Sequence, residues 1–324
     1  MGRPPLEQAV VVVTGASSGI GRAASLRFAR RGSRLVLMAR GGEALEEVRS
    51  ECERMGAPAV ASRGDVRRED DVERVAAEAE RRFGRIDVWV NNAGTMAYGE
   101  FWEIPSDIFR TVVETNLFGQ VHGARAAIAR FRRQDGGGVL INMSSVWGRI
   151  TTPEVSPYVV SKQAVRAFSE CLRHDLEGKP GIDVVTIIPQ AVDTPIFEHA
   201  ANVTGGSLRP IPPMYDVGTV AEGIEKCAES PKREVNYGRA GRALELLYAL
   251  APKLYCRVAP SMFLRGTFED QPAERQDGNV LHTTGPYRED GGWKAHGKPR
   301  LRRAVLAAGA GALGALVGRK SFRG

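Results

Sequence analysis

VVVVTGASSGIG, residues 10–21, is the stretch whose reading decides the fold class. Val10 to Val13 is an unbroken β-branched run, as expected of a strand buried on both faces. Thr14-Gly15 closes the run, and a helical pattern extends from about Ile20 to Arg31. Between them the glycines fall as G-x-x-x-G-x-G. Gly15 permits a tight turn, while Gly19 and Gly21 let backbone and helix approach a ligand closely. The helix start presents unpaired N–H groups, a ready site for a pyrophosphate, and Ser17, Ser18 and Ile20 belong to the same turn. A glycine pattern alone is weak evidence; the strand before it and the helix after it give it weight.

Outward from this turn, strands and helices alternate. Arg34–Ala39, Pro58–Ser62, Ile86–Val90, Val139–Met143 and Ile182–Ile188 read as strands. Leu45–Met55, Asp70–Phe83, Ile108–Arg133 and Pro157–Glu177 read as helices. Such alternation implies right-handed βαβ crossovers and a doubly wound parallel sheet, an α/β Rossmann-type fold over residues 1–240. A C-terminal extension follows. Residues 241–300 hold an apolar helix, Leu244–Leu254, ending near Pro252, and then a polar stretch expected to be a wrapped tail or linker. Residues 301–324 form a short apolar segment with basic flanks.

Composition narrows the function. The 324 residues are 43% hydrophobic and 26% charged, enough for a sizeable core. The net charge of +7 comes with no basic run interleaved with aromatics, so no nucleic-acid partner is expected. The four cysteines are widely spaced and include no C-x-x-C, which argues against a disulfide framework or a zinc site. His282 and His296 lack paired ligand spacing, so no metal is expected. The N-terminus has no signal-peptide layout, and a reducing, cytoplasmic setting is the expectation. Ala304–Val317 would be a helix of ~21 Å at ~1.5 Å per residue, short of the ~30 Å hydrocarbon core. Its cationic flanks and Gly314-x-x-x-Gly318 leave peripheral membrane association open beside a packed or frayed tail.

The second strand ends at Ala39-Arg40. An acidic residue there would hydrogen-bond a ribose 2′-hydroxyl and select NAD; Arg40 instead offers a planar fork to a 2′-phosphate, which favours NADP(H). Arg22 is a weaker candidate for the same phosphate. Tyr158 and Lys162 lie four apart in a helical segment and share one face. A neighbouring ammonium is expected to lower the phenol from near ~10 toward working pH, fitting it to give a proton to a developing alkoxide or take one from an alcohol. Ser145, just past the Val139–Met143 strand, would reach the crevice and hydrogen-bond the substrate oxygen, with Ser144 as the adjacent alternative.

Taken together, Thr14-Gly15-x-x-x-Gly19-x-Gly21, Asn91-Asn92-Ala93-Gly94, Asn116, Ser145 and Tyr158-x-x-x-Lys162 resemble the motif set of the classical short-chain dehydrogenase/reductase (SDR) family, across about residues 8–240. The resemblance implies further roles. Asp65 and Val66 would contact the adenine. Asn92, Ala93 and Gly94 would stabilise the sheet and line the cofactor. Asn116 would kink its helix and hold a water relaying protons to Lys162, which would also bind the nicotinamide ribose. Pro189, Val192 and Thr194 would touch the carboxamide end. A homo-oligomer built on helices flanking the active-site helix is implied as well. Gln190 departs from the family's usual glycine.

The same resemblance implies that residues after Thr194 form the lid, and Pro195–Tyr215 reads as a long mobile loop with stiff ends. Met96, Trp147, Phe197, Met214 and Tyr215 are candidates for an apolar pocket, which suits a hydrophobic ketone, aldehyde or secondary alcohol. The expected activity is hydride transfer to or from such a small molecule. The alternatives are a catalytically idle dinucleotide-binding scaffold or redox sensor, against which the intact Asn116, Ser145, Tyr158 and Lys162 argue, and a sugar-nucleotide epimerase or dehydratase, whose glycine spacing differs.

Overall fold

A computed structural model describes residues 2–238 and 240–296. Seven strands make one sheet: β1 (Val10–Thr14), β2 (Arg34–Ala39), β3 (Ala59–Arg63), β4 (Val88–Asn91), β5 (Gly138–Met143), β6 (Ile182–Pro189) and β7 (Glu234–Tyr237). Their spatial order is β7-β6-β5-β4-β1-β2-β3, and every pairing is parallel. The order reverses between β1 and β4. At that switch point the outgoing chains diverge and leave a crevice above the strand C-termini.

The β-branched run of β1 is fully buried because both sheet faces are covered. Val11 and Val13 pack with Leu35 and Leu37 against α1 (Gly19–Arg30) and α2 (Gly42–Arg54). Val10 and Val12 pack with Val36 and Met38 on the other face, against α3 (Glu69–Phe83). The strands and helices expected over residues 1–240 thus form a doubly wound α/β sheet, with boundaries shifted by a few residues.

Three expectations need correction. The helix anticipated over Ile108–Arg133 is α4 (Ser106–Val113) and α5 (Gly119–Phe131), joined through a π turn at Glu114–Phe118. The helix anticipated over Leu244–Leu254 is the meeting of two. α8 (Ala240–Leu250) stops before Pro252, which starts α9 (Pro252–Thr267), and α9 continues through Pro260. Proline at a helix start is favourable because its missing N–H has no partner to lose there. The edge strand β7 was not anticipated. Its four residues are all half-buried, so no alternation marks them.

α6 (Ser156–Asp175) lies beside the crevice and α7 (Val217–Glu229) packs on α1. The Pro195–Tyr215 segment is tied down rather than hanging free. Ala201–Asn202 pairs with Ala97–Tyr98, and Gly206–Leu208 pairs with Phe268–Pro272 beyond α9. Among the described residues no helix is long and apolar enough to cross a membrane, and no cluster of ligating side chains could hold a metal. The Ala304–Val317 segment lies outside the described residues.

Candidate active site

The turn after β1 and the end of β4 are laced together. The Thr14 hydroxyl accepts the N–H groups of Asn92 (3.0 Å) and Ala93 (3.1 Å), and the Asn92 amide donates to the Thr14 carbonyl at 3.0 Å. Gly15 has φ +65°, and a Cβ there would stand 2.8 Å from the Ala93 Cα. The crevice above is lined by the turn (Gly15, Ser17, Ser18, Gly19, Ile20), by Arg40 after β2, by Asp65 and Val66 after β3, and by Asn92, Ala93 and Gly94 after β4. Tyr158, Lys162, Pro189 and Thr194 complete the lining.

Two residues assigned to the cofactor from sequence stand elsewhere. Gly21 does not line the crevice. A Cβ on it would collide with the Gly15 carbonyl and the Asn92 amide, so its smallness serves the packing of α1 under the turn. Val192 faces the neighbouring apolar pocket instead. Arg22, the second phosphate candidate, is buried and already neutralised by Glu47 at 2.9 Å and Glu51 at 2.6 Å.

Tyr158 and Lys162 lie one turn apart on α6, held there by the helix starting at Ser156-Pro157. The Lys162 ammonium donates to the Met143 carbonyl at 2.9 Å and sits 5.5 Å from the Tyr158 ring centre. Ser145 and Ser144 have separate tasks. The Ser144 hydroxyl donates to the Lys162 carbonyl at 2.8 Å, pinning β5 to α6. Ser145 hydrogen-bonds the Tyr158 phenol and lines the apolar pocket beside it. Asn116 is fully buried at the π turn. Its amide accepts from Thr95 N at 2.8 Å and donates to Thr95 O and Ser161 Oγ, each at 2.9 Å. Both side-chain N–H groups are thereby used, and the oxygen accepts one bond of the two it can take.

The expected lowering of the phenol is not found in this site. Burial pushes Tyr158 up to about 12, partly opposed by the Ser145 hydrogen bond, and brings Lys162 down to about 8. Both groups have lost water, and removing water disfavours a charge on either. Desolvation outweighs the attraction that the spacing alone suggested.

The apolar pocket adjoins the crevice. Met96, Trp147 and Phe197 line it as anticipated; Met214 and Tyr215 do not. Its outer wall was missed from sequence: Leu244 of α8 and Tyr255, Ala259, Met262 and Phe263 of α9. Trp147 meets both Tyr158 and Phe263 edge-on, with ring centres 5.7 Å apart in each case. Arg209 reaches the pocket wall, but its guanidinium is spent on the carbonyls of Gly266 and Arg265. Gln190 is accommodated by glycine. Its side chain fills the notch where a Cβ on Gly238 or Gly241 would stand.

A Gly-rich turn at a sheet switch point, with a buried Tyr/Lys/Ser cluster between a polar crevice and an apolar pocket, defines a nucleotide-cofactor-dependent oxidoreductase. The short chain dehydrogenase pattern matches residues 9–203, and the chain belongs to the short-chain dehydrogenase/reductase family. It is 34% identical over 316 residues to the uncharacterized oxidoreductase YxnA of Bacillus subtilis, covering 93% of this chain and 89% of that one. A short-chain dehydrogenase/reductase from Burkholderia phymatum solved with NAD superposes with TM-score 0.70 at 26% identity, over 76% of this chain and 95% of that one. An alcohol dehydrogenase from the archaeon Thermococcus sibiricus solved with 5-hydroxy-NADP gives TM-score 0.62 at 27% identity, over 71% of this chain and 96% of that one.

Proposed function

We propose that the protein moves a hydride between NADP(H) and the carbonyl or alcohol carbon of an apolar small molecule, with Tyr158 as proton donor and acceptor. One observation carries this reading: Tyr158 is the titratable residue that lines both the polar crevice and the apolar pocket. A group serving a reaction between two bound molecules must face both.

A dinucleotide is supported by a crevice that runs from the glycine turn past Arg40, a half-buried cation at the end of β2, to Tyr158 and Lys162. A bound nicotinamide would supply or accept the hydride; the chain would supply the rest. Ser145 hydrogen-bonds the reacting oxygen and keeps the phenol directed at it. Tyr158, neutral at physiological pH because of burial, gives its proton to the oxygen as charge develops there. Lys162, still charged below about 8, stabilises the phenolate left behind and binds the ribose. Asn116 positions Thr95 and the start of the post-β4 loop. The aromatic and aliphatic lining, whose one arginine is already engaged, favours a ketone, aldehyde or secondary alcohol without charge.

Arg40 supports NADP(H) over NAD(H), because burial makes its charge costly unless an anion meets it. The four free cysteines fit the proposed cytoplasmic setting, and a homo-oligomer is proposed on family grounds. Consumption of NADPH with a ketone panel tests the reading. Bulky apolar ketones should be reduced faster with NADPH than with NADH. Turnover confined to charged substrates, or a strong NADH preference, would overturn it.

A further inference from the structure

The hydride chemistry makes no use of the polar segment beyond α9, yet that segment runs over the cofactor crevice and is fastened at both ends. At one end Asn279 N donates to the His199 carbonyl at 2.8 Å, and the Thr95 hydroxyl donates to the Asn279 side chain at 2.9 Å. At the other, the buried Asp193 carboxylate accepts the N–H groups of Gly291 (3.1 Å), Trp293 (2.9 Å) and Lys294 (3.1 Å). Between these anchors the Gly19 N–H donates to the Arg288 carbonyl at 2.9 Å, and Arg22 donates to the Tyr287 carbonyl at 3.0 Å.

This course brings the segment onto Arg40. The guanidinium donates to the carbonyls of Asn279 and Val280, which occupies two of its five N–H groups. No carboxylate stands within ion-pairing distance of it among the described residues; Asp65 is taken by Arg67 at 2.6 Å. The Tyr287 ring lies against His199, with centres 6.2 Å apart. Its hydroxyl lies beside Gly41, 3.3 Å from where a Cβ would stand. Arg40 and Tyr287 thus share one stretch of crevice wall, a cation with no direct ion-pair partner among the described residues next to a phenol that can donate.

We propose that residues 279–287 are part of the cofactor site, and that the Tyr287 hydroxyl joins Arg40 in binding a phosphate on the adenosine ribose, making Tyr287 a specificity-determining residue. The inference rests on the NADP(H) reading above. Its chemistry is that of a phosphomonoester pocket: a fixed cation and a neutral O–H donor, with the crevice carboxylate of Asp65 held by Arg67.

Calorimetric binding of 2′,5′-ADP and 5′-ADP to the full chain separates the inference from the reading beneath it. The native protein should hold 2′,5′-ADP more tightly than 5′-ADP. Tyr287→Phe keeps the ring on His199 and removes only the hydroxyl. It should weaken 2′,5′-ADP by roughly tenfold and leave 5′-ADP unchanged. If Tyr287→Phe leaves the ratio intact while Arg40→Ala abolishes it, Tyr287 has no part in recognition and the inference is overturned while the cofactor reading stands. Equal weakening of both ligands would mean a purely structural role and would overturn it as well. If the native protein binds the two equally and Arg40→Ala changes nothing, the cofactor reading fails and takes the inference with it.

Discussion

Lys162→Met should make the protein inactive and, at neutral pH, more stable. Lys162 is 3% exposed, and burial brings its pKa from 10.5 to about 8. At pH 7 the ammonium is charged in both folded and unfolded chains, so the folded state bears the full penalty, about 3 kcal/mol. Methionine removes the charge and keeps the stem. It also leaves the Met143 carbonyl without its donor, a loss of about 1–3 kcal/mol. The net expectation is a gain of about 1 kcal/mol at pH 7. The pH dependence is sharper. Above about 8 the folded lysine is neutral while the unfolded one still binds a proton up to 10.5, so wild-type stability rises with pH across that window. The variant lacks this group. The stability difference should therefore move in favour of wild type by about 2 kcal/mol between pH 7 and 9.5. Urea denaturation of both proteins at the two pH values measures it. A difference independent of pH would refute the claim that Lys162 is held as a strained buried cation.

The two serines should separate cleanly. Ser145→Ala should lower kcat by about 10²- to 10³-fold with the KM for carbonyl substrate little changed, whereas Ser144→Ala should act mainly through stability; steady-state kinetics beside thermal melts distinguish them. The pH profile of kcat/KM for carbonyl reduction should be flat through neutrality and fall as pH rises through about 8, where Lys162 loses its proton. Tyr158, held near 12, stays protonated over that range, so a profile flat to pH 10 would remove Lys162 from the mechanism.

The parts of this protein that were legible in its sequence are those whose physics is local. The β-branched run and the glycine turn announce a buried strand and a helix start within a dozen residues. Tyr158 and Lys162 are joined by helical spacing. Long-range juxtaposition was not legible. Nothing near Arg22 says that Glu47 and Glu51 of α2 neutralise it. Nothing near Gln190 says that Gly238 and Gly241 make room for it. The outer pocket wall was hidden because the apolar helix reads from sequence as ending near Pro252, although that proline starts α9 and Pro260 is carried within it. The phenol's pKa was misjudged for a related reason: spacing reports the neighbouring charge but not the water lost on burial.

In the proposed reaction one phenol, Tyr158, transfers the proton between cofactor crevice and substrate pocket. Single-turnover reduction of an accepted ketone, with NADPH binding measured in parallel, tests it in Tyr158→Phe. NADPH affinity should stay unaltered within about twofold while the chemical step slows by about 10³-fold or more. A variant that reduces the ketone at the native rate while binding NADPH normally would contradict it.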